Sequence, residues 1–236
     1  MKNTLLTFGL MLCTVALLAQ VSAKEKQALL DLFVATNGEN WTHSWDTNTP
    51  VSDWQGIIVE NNKVVSISLL FNNMEGTIPA SLGDLEALTV LEMSFNKLSG
   101  KLPASLGNLS NLEILAFNGN NLKGSIPESF ENLKNLKQLH LSSNKLSGTI
   151  PNTLGDLDNL EVFNVFDNNL VGDIPSGLAN HRSLRELMVA ENNLVSTANF
   201  SAVLLSNSGA KIDVNKPVLT PGAKTVIATE TSDDEN

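Results

Sequence analysis

The chain has little of the chemistry on which most enzymes and disulfide-bonded proteins depend. Its 236 residues include one cysteine (Cys13), three histidines and no tyrosine, and aromatic residues make up 5% of the total. A single cysteine excludes an intramolecular disulfide. The HExxH motif, the CxxC pair and the glycine-rich phosphate loop, which mark common metal, redox and nucleotide sites, are all missing from the sequence. We therefore expect no metal and no cofactor.

Positive charge is also scarce. The chain has 15 lysine and arginine residues against 25 aspartate and glutamate residues, which gives a formal net charge of −10. A surface with this balance repels phosphate backbones and anionic membranes and favours neutral or cationic ligands. The composition therefore argues against a nucleic-acid partner.

The apolar stretch at the N terminus is too short for a typical transmembrane helix. Residues 1–23 have the features of a secretory signal peptide. Lys2 precedes an apolar stretch from Leu5 to Leu18, and Val21-Ser22-Ala23 supplies the small residues of a cleavage site. We predict cleavage after Ala23 and a secreted, extracellular protein without a transmembrane anchor.

The chain does contain a strict repeat of 24 residues. An asparagine recurs at six positions with this spacing, and a glycine and a proline each recur at five. These positions are Asn72, Asn96, Asn120, Asn144, Asn168 and Asn192; Gly76, Gly100, Gly124, Gly148 and Gly172; and Pro79, Pro103, Pro127, Pro151 and Pro175. A sustained period of this length predicts a solenoid, in which each repeat is one coil stacked on the next. We interpret these residues as scaffold.

One repeat shows how a coil should fold. Its inward positions are Leu88, Leu91, Met93, Leu98, Leu102, Leu106 and Leu109. Across the first five repeats these positions hold aliphatic residues, methionine or phenylalanine, except at His181. The segment around Leu91 and Met93 should be a short parallel strand, about 4.8 Å from its neighbours. The Asn96 amide should bond backbone groups where this strand turns.

The consensus LxxLxLxxNxL, followed by GxIPxxLGxLxxL, resembles the plant-type leucine-rich repeats of receptor-kinase ectodomains and polygalacturonase inhibitors. The resemblance extends over residues 64–194. It implies an α/β repeat solenoid: a right-handed coil of about six repeats, with a parallel β-sheet on its concave face and a helical N-terminal cap. It also implies a protein, peptide or glycan ligand bound on the concave or lateral face.

We predict five segments along the chain. They are the signal peptide (1–23), the N-terminal cap (24–63), the repeats (64–195), a degenerate C-terminal cap (196–215) and a flexible acidic tail (216–236). The degenerate cap should include a short helix near residues 200–205 and a last edge strand at residues 212–214. Threonines, prolines and acidic residues favour a mobile tail.

The predicted N-terminal cap combines a helix, a tryptophan-rich loop and a hairpin. Residues 25–36 have helical spacing, and residues 57–60 and 63–69 form a predicted hairpin around Asn61-Asn62. Because it lacks cysteine, the cap resembles those of secreted bacterial leucine-rich-repeat proteins. The residues that carry this resemblance are 28–42, then Trp45, Pro50 and residues 54–57. Trp41, Trp45 and Trp54 should seal the first coil, although clustered tryptophans are also typical of carbohydrate platforms.

Side chains flanking the core leucines should face outward on the concave sheet. The candidate ligand-binding residues there are Leu70, Phe71, Glu92, Phe95, His140, Phe166, Asp167 and Glu191. Phe71 and Phe95 occupy the same position in neighbouring repeats, so their rings should be able to stack. Adjacent exposed aromatics on such a face indicate a contact site; packing against the tryptophan cap is the alternative.

Asp167 and Glu191 also occupy the same position in neighbouring repeats. Their carboxylates should lie roughly 5 Å apart, near the separation in retaining glycosidases. Because an open sheet lacks the cleft that such catalysis needs, we predict a non-enzymatic recognition module. We also predict a monomer. The alternatives are an adhesin or structural component and, less favoured, a glycoside hydrolase.

Overall fold

The computed structural model describes residues 21–179, 181–195 and 227–229, and within them the chain winds as a solenoid. Each coil contributes a strand to one sheet, a second strand to another sheet and a short helical turn. The predicted C-terminal cap (196–215) and residues 1–20 of the predicted signal peptide lie outside the described residues.

The strands of the described residues form two sheets. In chain order they are β1 (Ile57–Glu60), β2 (Lys63–Ser68), β3 (Glu75–Thr77), β4 (Val90–Glu92), β5 (Lys97–Gly100), β6 (Ile114–Ala116), β7 (Asn121–Gly124), β8 (Gln138–His140), β9 (Lys145–Gly148), β10 (Val162–Asn164), β11 (Asn169–Asp173), β12 (Glu186–Met188), β13 (Asn193–Val195) and β14 (Ile227–Thr229). The concave sheet has the order β1-β2-β4-β6-β8-β10-β12-β14, and the lateral sheet has the order β13-β11-β9-β7-β5-β3.

The two sheets stack their coils in different registers. In the concave sheet, strands β2 to β12 are parallel, and each residue lies beside the residue 24 positions later, as Leu91 does beside Leu115. In the lateral sheet the offset is 22 residues, so that Lys123 lies beside Lys145. Equivalent residues of successive repeats therefore align on the concave sheet but not on the lateral sheet.

The core is a continuous stack of apolar layers between the two sheets and the helical turns. The predicted inward positions of the repeat that begins at Leu88 are all buried. The third side of four coils is a 3₁₀ helix: Ala80–Asp84, Ala104–Asn108, Glu128–Asn132 and Asn152–Asp156. A proline with extended backbone precedes each of these helices, where its missing N–H costs no hydrogen bond. A short α-helix, α2 (Ser176–Ala179), takes this place in the next coil.

The buried asparagines form the ladder that the repeat predicts. The Nδ2 group of Asn120 donates to the carbonyl oxygens of Phe117 (3.0 Å) and Asn118 (3.2 Å) in its own coil, and to that of Met93 (3.1 Å) in the preceding coil. Its Oδ1 accepts from the backbone N–H of Leu98 at 2.9 Å. The same pattern recurs at Asn96, Asn144, Asn168 and Asn192. Each amide therefore joins two coils.

The N-terminal cap closes the first coil with a helix and an aromatic cluster. Helix α1 (Ala23–Ala35) begins two residues earlier than the sequence predicts, because the Ser22 hydroxyl accepts from the backbone N–H of Glu25 at 3.2 Å and caps it. Trp45 contacts the rings of Trp41 (centroids 4.8 Å apart) and Trp54 (4.7 Å). All three tryptophans are buried. They seal the core, so they do not form an exposed carbohydrate platform.

A hairpin carries the chain from the cap into the repeats. β1 and β2 pair antiparallel, and Asn61 and Asn62 between them have φ of 49° and 64°. Two successive residues of positive φ are the signature of a type I′ turn, which asparagine tolerates well. The predicted hairpin is thus present, with β2 ending at Ser68.

At the other end, the segment predicted as a mostly mobile tail (216–236) includes one strand among the described residues. Ile227–Thr229 form β14, which pairs antiparallel with β12. An exposed edge strand offers unpaired backbone groups, and pairing with a later segment satisfies them. Ile227 and Thr229 are β-branched and favour a strand, but the surrounding prolines and acidic residues led to the prediction of a tail.

We expect Leu115→Ala to lower the free energy of unfolding by about 2–5 kcal/mol, as truncations of buried leucines do. Leu115 is fully buried on the central strand β6. Urea denaturation followed by circular dichroism measures the change. A loss below about 1 kcal/mol would contradict the central position of this residue in the core.

We expect Asn120→Ala to lower the free energy of unfolding by about 1–3 kcal/mol, because it leaves buried backbone groups of two coils without partners. The neighbouring Asn121 is exposed and provides the control. Asn121→Ala should change stability by less than about 0.5 kcal/mol in the same urea titration. Equal stability of the two variants would show that the ladder contributes nothing.

Candidate functional site

The candidate site lies on the outward surface of the concave sheet. The regular parallel register aligns the residue between the two core positions of each strand into one column. The members of this column are Ser68, Glu92, Ala116, His140, Asn164 and Met188. Ser68 and Glu92 are in direct contact, since the serine hydroxyl donates to Oε2 of the carboxylate at 3.2 Å.

Phe71 and Phe95 are brought together as the sequence suggests. Their ring centroids are 4.6 Å apart and their planes differ by 7°, so the rings stack face to face. The side chains remain 66% and 48% exposed, respectively. The rings are therefore not packed under the tryptophan cap, and we call these two residues the aromatic pair.

The backbone at the aromatic pair is left-handed, which sequence reasoning missed. Phe71 has φ of 50° and Phe95 has φ of 58°. The same holds for every member of their column: Phe71, Phe95, Gly119, Ser143, Asp167 and Glu191 all have φ between 50° and 62°. This conformation costs roughly 1 kcal/mol or more for a residue other than glycine. Gly119 was the only residue of this column whose type indicated a left-handed backbone in the sequence.

Gly119 also accommodates the ring of Phe95. A Cβ atom on Gly119 would lie 2.8 Å from Cδ1 of Phe95, which is closer than two carbon atoms approach. The backbone around the pair is fixed as well, because the N–H of Phe95 donates to the carbonyl oxygen of Asn118 at 2.7 Å. The ring of Phe95 therefore lies against Gly119, which occupies the same position in the third coil.

The other aromatic and apolar candidates are less accessible. Leu70 and Phe166 are half-buried, whereas the sequence predicts that Phe166 faces solvent. Phe166 belongs to the column of Leu70 and lies three coils beyond Phe95. It is therefore not part of the aromatic pair.

Three residues expected on the open surface are buried instead. Ser94, Ala116 and Ala190 have exposed fractions of 1%, 3% and 3%. Because these side chains are small, the larger side chains around them cover them. The hydroxyl of Ser94 has a structural partner, since it accepts from the backbone N–H of Asn118 at 3.2 Å. Asn118 likewise accepts from the backbone N–H of Ser142 at 2.9 Å, so this column supports the sheet.

One apolar column of the concave surface was not among the candidates. Val90, Ile114 and Val162 are half-buried and follow one another in register, interrupted by Gln138. They alternate with the core leucines of their strands, which is the period-two signal that identifies them. The half of the face nearer the cap therefore combines Val90 and Ile114 with the aromatic pair.

The half of the face farther from the cap is acidic. Asp167 and Glu191 are both exposed, in adjacent coils. They lie on an open surface, whereas the acid–base pair of a glycosidase lies in a cleft. The basic side chain of Lys137 is already paired, with its Nζ 2.7 Å from Oε2 of Glu113. This half can attract cations, and it offers no enclosed acid–base pair.

His140 lies near the middle of the face on β8, and its ring is half-buried. Burial lowers the pKa of the imidazole below its usual value of 6.5, while the carboxylates of Glu186 and Glu92 act in the opposite direction. Its Nε2 lies 3.2 Å from Oε1 of Gln138. Within the described residues, no group of three or more histidine, cysteine, aspartate or glutamate side chains is placed to hold a metal ion.

Comparison with protein families gives two matches. The family described as Leucine rich repeat matches residues 110–170, and the family described as Leucine Rich Repeat matches residues 87–109. A search of curated proteins finds no match. Nor do the described residues include a helix with the length and hydropathy that crossing a bilayer requires.

The chain is similar to solved plant ectodomains. It is 27% identical to the leucine-rich-repeat ectodomain of the receptor kinase SOBIR1 from Arabidopsis thaliana, over 76% of this chain and 99% of that one, with a TM-score of 0.66. It is 31% identical to a chain of the BIR3–SERK2 complex from Arabidopsis thaliana, over 72% of this chain and 95% of that one, with a TM-score of 0.61.

A third solved structure contains a bound peptide. The Arabidopsis receptor kinase HAESA ectodomain, solved with an extended IDA peptide hormone ligand, is 32% identical over 73% of this chain, with a TM-score of 0.67. The alignment covers 29% of the HAESA chain. This chain therefore spans less than a third of that ectodomain.

We expect the stability of the protein to fall on acidification partly through His140. Because the folded state lowers the pKa of this histidine, the unfolded state binds the proton more readily. The contribution of the His140 imidazole to stability is fully present above the unfolded-state pKa of 6.5, and it is lost as the pH falls below that value. His140→Gln should therefore show a smaller drop in melting temperature between about pH 7.5 and pH 5.5 than the wild type.

Met188→Leu, a change without a titrating group in the same column, should keep the wild-type drop. If His140→Gln shows the same drop in melting temperature as the wild type, burial of the imidazole does not contribute to the pH dependence of stability.

Proposed function

The chain belongs to the leucine-rich-repeat family, and on that basis we propose that it is a recognition module that binds a peptide or protein segment on its concave sheet. The observation that carries the proposal is the aromatic pair. Phe71 and Phe95 are stacked and exposed, and backbone hydrogen bonds to the following coils hold them in place.

The aromatic pair has the properties of an interface anchor. Phenylalanine contributes a large apolar area at a low entropic cost, because only two side-chain torsions have to be fixed. The stacked rings extend toward Gly119, and Val90 and Ile114 add half-buried apolar surface on the same sheet. Adjacent exposed aromatic side chains such as this pair are typical of interaction sites.

The charge of the face defines the ligand further. Glu92 lies between Val90 and Phe95 in the apolar half, and Glu161, Asp167, Glu186 and Glu191 outnumber Arg185 in the acidic half. A ligand with an apolar or aromatic residue at one end and basic residues toward the other complements this arrangement. A glycan that stacks on the two rings is the other ligand class that this face can take. The peptide seen with HAESA and the protein partner in the BIR3–SERK2 complex favour a polypeptide.

The cellular context of the proposal comes from the ends of the chain. The signal-like residues 1–23 support export and release at residue 23, and the cysteine-free cap supports a bacterial origin. The segment boundaries at residues 63, 195 and 215 belong to the same proposal, as does a monomeric state. The exposed setting of Asp167 and Glu191 supports a binding role without catalysis.

We expect Phe95→Ala to weaken ligand binding by at least about 1 kcal/mol, because aromatic anchors dominate desolvated contacts. Asp167→Asn should cost less, because exposed charges mainly affect the association rate and its salt dependence. Capture of ligands from culture medium by the immobilised protein, with a glycan array in parallel, identifies the ligand. Isothermal titration calorimetry then gives the affinity of each variant.

Val171→Ala is the matched control, since Val171 is an exposed apolar side chain on the lateral sheet. It should leave binding unchanged. Binding that disappears between low and moderate salt but is insensitive to Phe95→Ala would place the ligand on the acidic half of the face and overturn the proposal.

A further inference from the structure

The N-terminal cap contains a pocket of about 190 Å³, which we call the cap pocket. It lies between the first turns of helix α1, the loop at residues 48–52 and strand β1. The residues that line it are Val21, Lys26, Asn48, Thr49, Pro50, Val51, Ser52 and Val59. None of them is a candidate residue of the concave sheet. A pocket of this volume suits a ligand smaller than a drug-sized molecule.

The loop that forms one side of the cap pocket is held in place by hydrogen bonds. Oδ1 of Asp46 accepts from the backbone N–H of Asn48 at 3.0 Å and from its Nδ2 at 3.1 Å. The Thr49 hydroxyl donates to the carbonyl oxygen of Asp46 at 2.8 Å. On the other side, the register of β1 shifts immediately before Val59, and such irregularities redirect a side chain. The pocket is therefore formed before a ligand arrives.

Lys26 is the only charged residue that lines the cap pocket, and its side chain is half-buried. Its Nζ lies 5.8 Å from the ring centroid of the buried Trp54. A cation–π contact of this kind orients the ammonium group but does not neutralise it. Lys26 takes no part in the ion pairs of the described residues, which join Lys24 to Asp84, Lys63 to Glu25 and Lys137 to Glu113. The pocket therefore favours a ligand with an anionic group.

The other polar groups of the cap pocket are mainly hydrogen-bond acceptors. The single hydroxyl proton of Thr49 is donated to Asp46, and that of Ser52 is donated to Oδ1 of Asp53 at 3.2 Å. Both hydroxyl oxygens can still accept, and the side-chain amide oxygen of Asn48 is a third acceptor. A ligand that complements these oxygens carries a hydrogen-bond donor near its anionic group.

The remaining walls of the cap pocket are aliphatic. They are formed by Val21, Pro50, the buried Val51 and the half-buried Val59. Since none of the lining residues is aromatic, the pocket offers no ring on which a nucleobase or a sugar could stack. Val21 belongs to the predicted signal peptide. Its release would open one side of the pocket, and the other three aliphatic residues do not depend on it.

We propose that the cap pocket binds a free aliphatic α-amino acid of the size of valine or leucine. Such a molecule combines an anionic group, a donor and an apolar group within a few bonds, as a pocket of this volume requires. The ammonium group of Lys26 pairs with the carboxylate. The oxygens of Thr49 and Ser52 accept from the α-ammonium group, and the aliphatic side chain packs against Val51 and Val59. This site is independent of the concave sheet.

Titration of the full chain with L-leucine, followed by two-dimensional NMR of the backbone amides, tests the proposal. The signals of Lys26, Thr49 and Val59 should shift until saturation with a Kd of about 1 mM, because so small a ligand makes few contacts. Lys26→Gln should weaken binding at least about tenfold, because a hydrogen bond between two charged groups is lost. The control Lys24→Gln removes the same charge from the same helix, but from a side chain paired with Asp84, and should change the Kd by less than about twofold.

Three related compounds test the three groups of the ligand. Glycine lacks the aliphatic side chain, 3-methylbutylamine lacks the carboxylate and 4-methylpentanoate lacks the ammonium group; each should bind at least about fivefold more weakly than L-leucine. Equal binding of any one of them would overturn the proposal. So would the absence of saturable shifts, or an equal loss of affinity in the Lys26 and Lys24 variants. Phe95→Ala should leave the L-leucine titration unchanged, so a failure here does not bear on the concave sheet.

Discussion

The hydrogen bonds of the buried asparagine amides are the interaction on which the rest of the structure depends. Each amide from Asn96 to Asn192 bonds backbone groups of its own coil and of the preceding one. It satisfies polar groups that would otherwise be buried without partners where the chain leaves the strand. Because the amide recurs every 24 residues, it also fixes the register of the concave sheet. The aromatic pair lies in register only because the coils beneath it are held at this offset.

The period of the sequence predicts much of the fold, because each inward column has a single explanation. Leu91 and its equivalents had to be buried, and the asparagines needed backbone partners. The period does not predict the local backbone conformation. No composition rule places Phe71 and Phe95 in the left-handed region, since that conformation is unfavourable for bulky residues and is imposed by the coil. The burial of Ser94 could not be predicted from the period either, because it depends on the size of neighbouring side chains.

Three lysines of the lateral sheet show a second limit of reasoning from the repeat. Lys101, Lys123 and Lys145 occupy three different positions of the 24-residue repeat. They meet because neighbours on the lateral sheet are offset by 22 residues, whereas the concave sheet keeps an offset of 24. An alignment of the repeats therefore does not show that these three lysines are neighbours. The two faces also differ in charge, so a single coil can present an acidic concave surface and a basic lateral surface.

The rigidity of the solenoid explains why its exposed apolar surface remains available to a ligand. A pair of phenylalanines on a mobile loop would collapse onto the nearest apolar surface. Here the backbone N–H groups of Phe71 and Phe95 are bonded to Ser94 and Asn118 of the following coils, and the second ring lies against Gly119. The rings are held in place before a ligand arrives, so binding does not have to include the entropic cost of ordering them. Left-handed backbone at these two positions lowers the stability of the free protein, and the stacked rings remain exposed.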